Sequence, residues 1–131
     1  MTPARALSAV LDKIDADLDS SLARLFDFLR IQSISTDPAY KEQCRAAAEY
    51  VANDLSGIGF DASMRPTAGH PIVVGKSRAG SGNGNTPRVL FYGHYDVQPV
   101  DPLELWETPP FAPRLRRGRP SRCNTPAGHP V

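Results

Sequence analysis

Between Arg88 and Phe111 the chain sets down a short apolar run, Val89-Leu90-Phe91-Tyr92, breaks it at Gly93, and follows with a histidine and a carboxylate two residues apart, His94 and Asp96. The β-branched and aromatic character of the run predicts a strand over 88–92, the strongest in the chain. In extended backbone, residues i and i+2 project to the same face. Asp96 is therefore expected beside the imidazole of His94, where a carboxylate fixes the tautomer and raises the basicity of a metal-binding histidine. Open α/β sheets place ligands beyond the carboxyl ends of their strands, and His94 falls at such an end.

The elements ahead of this stretch fit that architecture. Leu7, Val10, Leu11 and Ile14 keep a helical stripe that Leu22, Leu25, Phe26 and Leu29 resume, predicting helix over 4–30 with a break near 17–20 and Asp19 or Ser20 as the second cap. A polar turn over 31–38 ends it. Pro38 behind Asp37 as N-cap opens a further helix to about Ser56, with Cys44, Ala47, Ala48, Val51 and Leu55 on its buried face and Gly57 or Gly59 as its stop. Strands are predicted over 60–65 and 71–76, then a connector over 77–87 dense in Gly, Ser and Asn. Helices followed by strands describe the front of a layered α/β domain.

Composition narrows the function classes. Residues 1–113 hold 10 basic and 14 acidic side chains, a net of −4, and the five arginines between Arg114 and Arg122 bring the total to +1. Near-neutrality gives no case for nucleic acid or for an anionic membrane surface. No apolar run approaches membrane length, and the early acids Asp12, Asp15, Asp17 and Asp19 oppose export, so a cytoplasmic protein is expected. Cys44 and Cys123 stand far apart in no Cys-x-x-Cys pattern and read as buried or idle thiols in a reducing compartment, with a disulfide as the weaker alternative. Residues 114–131 lack hydrophobic periodicity and are expected to form an Arg- and Pro-rich disordered tail beyond a domain at 1–113.

Gly93-His94-Tyr95-Asp96-Val97-Gln98-Pro99, followed by Leu105-Trp106-Glu107-Thr108-Pro109-Pro110-Phe111, resembles the first metal motif of a zinc metallopeptidase family. That family includes carnosinase-type dipeptidases, aminoacylase and succinyl-diaminopimelate desuccinylase, and the wording of the two blocks resembles its dipeptidase branch. The resemblance implies an α/β fold, the N-terminal part of a layered zinc-peptidase catalytic domain with helices on a mixed sheet, here truncated. It makes His94 a metal ligand and Asp96 its orienting partner in the catalytic site. It further implies two zinc ions per site, and cleavage of peptide or N-acyl amino acid substrates by zinc-bound hydroxide with a glutamate moving the proton. A second domain would form a homodimer.

The family's bridging aspartate, general-base glutamate and remaining ligands match no position here. A catalytic zinc needs about three protein ligands and an open site, so the 131-residue chain by itself is expected to be inactive. Read in another frame, Asn124-Thr-Pro-Ala-Gly-His-Pro130 is compatible with the Tyr-Ala-Arg-Gly-Ala-Ser segment the family carries, which favours a frameshift after Leu115. The alternative is a non-enzymatic fragment that binds a partner through an exposed sheet edge or its basic tail. Among other candidates, His70 reads as an exposed loop histidine, and His129 and Cys123 as chance residents of the tail. Trp106 and Phe111 read as side chains that pin an irregular segment, or line a pocket wall.

Overall fold

The computed structural model describes residues 3–77 and 89–115. Two helices open it, α1 (Pro3–Ala16) and α2 (Leu18–Leu29). They meet at Asp17, whose N–H donates to Lys13 O while its carbonyl accepts from Ser21 N–H. The second cap is thus Asp17 rather than Asp19 or Ser20, because only one residue lies between the helices. Ser20 contributes differently, its Oγ donating to Asp17 O at 2.9 Å. The stripe on α1 stays open to solvent, with Leu7, Val10, Leu11 and Ile14 all more than half exposed.

The third helix, α3 (Lys41–Gly57), is entered through a 3-10 turn at Pro38–Tyr40. Asp37 Oδ1 accepts from Ala39 N–H at 2.9 Å, so the expected cap holds the 3-10 turn and the α-helix starts three residues later than Pro38. Cys44, Ala47 and Ala48 are buried, while Val51 and Leu55 are half-buried. Helix α2 is fastened to α3 by an Arg24–Asp54 ion pair (2.8 Å), by Tyr50 Oη donating to Arg24 O (2.7 Å), and by a stack of Phe28 on Tyr50.

Gly59, at φ +94°, supplies the left-handed residue that reverses the chain. Strands β1 (Phe60–Arg65) and β2 (Ile72–Ser77) follow as an antiparallel hairpin in which Ala62 faces Gly75. The hairpin lies against α3, and small residues permit the close approach. A Cβ on Gly75 would come within 3.2 Å of Leu55 Cδ1.

Two expectations are corrected. The sheet among the described residues is two-stranded and antiparallel, not a wider mixed sheet. The predicted strand over 88–92 is not formed: residues 89–92 join no ladder, and Val89, Leu90, Phe91 and Tyr92 are 74%, 92%, 90% and 85% exposed. Strand propensity reports fit to a half-buried pleated surface. The described sheet contains only β1 and β2, paired with each other, and residues 89–92 are not packed on it. Residues 78–88, which hold most of the connector, and 116–131 of the tail lie outside the described residues.

Candidate functional site

The buried centre of the site is the segment that the sequence marks only as a polar turn. Ser33 and Ile34 are 3% and 4% exposed, among the most buried residues described. Ile34 forms an isolated parallel bridge with Val97, and Val97 N–H donates to Ser33 O at 2.9 Å. Ser33 Oγ donates to Tyr95 O at 3.0 Å. Residues 33–35 therefore act as a strap to which the His94–Asp96 segment is tied by backbone and hydroxyl alike.

On that strap the two site residues meet. His94 Nδ1 lies 3.2 Å from Asp96 Oδ1, the contact expected from their i, i+2 spacing. The second carboxylate oxygen, Asp96 Oδ2, accepts from Ser35 Oγ at 2.6 Å. With Nδ1 facing a carboxylate, the imidazole keeps its proton there, and Nε2 is left as an acceptor 3.3 Å from Tyr92 Oη. The Tyr92 and His94 rings meet edge-on. His94 is 69% exposed and Asp96 29%, so the histidine reaches outward from a carboxylate held further in.

Electrostatics follow from this arrangement. The hydrogen bond from Ser35 is the main reason that the Asp96 carboxyl sits below its usual range; burial opposes it and His94 adds to it. Burial pushes the Cys44 thiol up, with the nearby Asp96 charge acting in the same direction. The Tyr95 phenol is likewise raised, first by burial. Tyr95 Oη donates to Pro71 O at 2.6 Å, which ties the segment to the start of β2.

His70 corrects another expectation. It is half-buried rather than an exposed loop histidine, and its Nε2 lies 2.8 Å from Ser35 O, an acceptor that assigns the proton to Nε2. A turn in which Thr67 Oγ1 donates to His70 O (2.6 Å) and accepts from Gly69 N–H (3.0 Å) holds it there. Sequence reasoning missed Ser33, Ser35 and His70 as parts of the site. The available signal was the Ser33-Ile34-Ser35 alternation, a two-residue period that places both hydroxyls on one side of an extended segment.

An open cleft of about 870 Å³ lies beside the pair, with Phe26, Leu29, Ile31, Trp106 and Phe111 in its lining together with His94 and Asp96. Trp106 and Phe111 thus line a wall, and Trp106 also pins the segment, since its Nε1–H donates to Val100 O at 2.8 Å. His129 and Cys123 lie outside the described residues. No three His, Cys, Asp or Glu side chains come close enough to hold a metal ion among the described residues. His94 has Nδ1 on Asp96 and Nε2 facing Tyr92 Oη, and its nearest acid is engaged by Ser35 and by the imidazole itself. These residues do not fit a complete metal centre.

A histidine held by its own near-neighbour carboxylate thus stands beside an open cleft on an α/β framework. The chain is a partial homologue of the metallopeptidases that include Cys-Gly metallodipeptidases and succinyl-diaminopimelate desuccinylases. It is 32% identical over 118 residues to the Cys-Gly metallodipeptidase of Saccharomyces cerevisiae, an alignment covering 81% of this chain and 24% of that protein. It is 46% identical over 98 residues to the succinyl-diaminopimelate desuccinylase of Acidovorax ebreus, covering 70% of this chain and 25% of that one. The chain thus spans about a quarter of the length of the curated relatives it matches. No protein-family model matches it, and no solved structure does.

Proposed function

We propose that this chain carries one part of the active site of a metal-dependent hydrolase of the dipeptidase type, contributing His94 as a single zinc ligand and Asp96 as the group that orients it. The observation that carries this reading is the His94–Asp96 contact at 3.2 Å, in a chain homologous to metallodipeptidases. The reading extends to a longer protein, cytoplasmic and homodimeric, acting on small peptides or N-acyl amino acids. In it residues 1–113 are an incomplete catalytic domain and 114–131 a separate tail. One ligand does not hold a catalytic zinc, which takes about three from protein, so the 131-residue chain alone is inactive.

The test is hydrolysis of Cys-Gly by the purified chain with zinc added, beside cobalt-induced broadening of histidine resonances. The expected result is no turnover, together with weak broadening centred on His94 and abolished in His94→Ala. Turnover that disappears in His94→Ala would overturn the claim of inactivity. Broadening indifferent to His94 would overturn the ligand assignment.

A second reading has one observation in its favour, the exposure of the apolar residues 89–92. Exposed and outside any ladder, they form a segment of the kind that partners join by strand addition. Self-association lost in Leu90→Lys would support it, and a monomer at all concentrations would remove it.

A further inference from the structure

We propose that Ser35 is a positioning residue for His94, acting through Asp96. The proposal rests on the reading of His94 as a ligand but is tested without any metal.

A carboxylate that must orient an imidazole has a freedom of its own, rotation about its final bond. Asp96 loses that freedom because its two oxygens are engaged on different sides, Oδ2 by Ser35 Oγ at 2.6 Å and Oδ1 by His94 Nδ1 at 3.2 Å. The shorter bond is the anchor, and the longer one is what the anchor aims. Ser35 is itself fixed independently of Asp96. Its carbonyl accepts from His70 Nε2 at 2.8 Å, and its neighbours Ser33 and Ile34 are tied to Tyr95 and Val97. The order of support therefore runs from the buried strap through Ser35 to Asp96 and outward to His94, which leaves Nε2 as the ring's acceptor, facing Tyr92 Oη at 3.3 Å. Two histidines touch Ser35's surroundings in opposite senses. His94 depends on its hydroxyl, whereas His70 depends on its backbone carbonyl, which no substitution removes.

That difference supplies the experiment. The ring-nitrogen resonances of His70 and His94 are recorded on the full chain at about pH 8.5, where an imidazole is ordinarily neutral, for the wild type, Ser35→Ala and Ser35→Thr. In the wild type His94 is expected as the Nδ1–H tautomer and His70 as Nε2–H. In Ser35→Ala the Nδ1–H to Nε2–H ratio of His94 drops roughly fivefold, the scale of one lost hydrogen bond, while His70 keeps its proton on Nε2. Ser35→Thr, which retains the hydroxyl, restores the wild-type ratio. A wild-type His94 that is mainly Nε2–H overturns the proposal even if Ser35→Ala does not fold. So does a Ser35→Ala spectrum in which His94 is unchanged, or in which His70 moves with it, since the serine would then merely fasten the strap. None of these outcomes depends on zinc binding or hydrolysis, so the proposal and the hydrolase reading fail separately.

Discussion

Residues 89–92 and 94–97 are adjacent in the chain and opposite in fate. The first four have the stronger intrinsic claim to structure, yet Leu90 and Phe91 are about nine-tenths exposed and join no ladder. The second four follow a break-prone glycine, Gly93, and include His94 and Asp96. They are nonetheless held by Ser33, Ser35 and Pro71 through four hydrogen bonds of 2.6–3.0 Å. What separates them is the presence of a partner. Backbone and side-chain preference define what a segment is able to do, and a neighbouring segment with matching donors and acceptors decides whether it does so.

The sharpest way to break this comparison is to remove the strap's core. Ile34→Ala is expected to cost about 2–4 kcal/mol, the range for truncating a well-buried aliphatic side chain, read as a fall in the urea midpoint. A change below the error of the measurement would mean that the strap does not carry the site. Next comes Ser33→Ala, which leaves the Tyr95 carbonyl short of a donor in a buried place and is expected to cost about 1–2 kcal/mol. In that variant, amide exchange at Val97 should accelerate while that of β1 and β2 stays constant; equal acceleration everywhere would assign Ser33 to general packing.

Cys44 gives a smaller and pH-dependent effect. Its thiol is held neutral by burial, so the folded-state value lies above the unfolded one. The stability this contributes is fully present below the unfolded thiol value, about 8.5, and is lost as pH rises through the folded one. The urea midpoint of the wild type should therefore fall more between neutral and alkaline pH than that of Cys44→Ala, and the native thiol should react slowly with a disulfide reagent. Parallel pH profiles for the two proteins would refute this. Smallest of all is Leu90→Ala, expected to change stability by no more than about 0.5 kcal/mol because its side chain is already in water. A large loss there would mean that residues 89–92 pack after all.

Much of the scaffold is legible from residue spacing. The helical stripes, the capping Asp37 and the hairpin strands follow from periodicities of 3.6 and 2 and from turn chemistry, all of them local. The His94–Asp96 contact is legible for the same reason, since both partners lie within three residues. Residues 89–92 mislead because a strand depends on pairing that its own sequence does not contain. Ser35 and His70 escape for the complementary reason: their roles depend on a segment some 60 residues away and on one 35 residues away. No local pattern records those distances. Ser33 and Ile34 sit in a polar context that predicts exposure, and they are buried because the Tyr95–Val97 backbone returns to cover them.

The strap also sets an order of assembly. Ser33 meets Tyr95 and Ser35 meets Asp96 across 62 and 61 positions of chain, and α3 and the hairpin lie wholly inside that loop. Closing so long an unstructured loop is entropically costly, and prior folding of its contents shortens the effective distance. The helix and hairpin, whose contacts are local, are therefore expected to form first and bring the two ends within reach. The junction of the strap with residues 95–97 is consequently expected to be a late arrival in folding and an early departure in unfolding, its formation reporting that α3 and the hairpin are already in place.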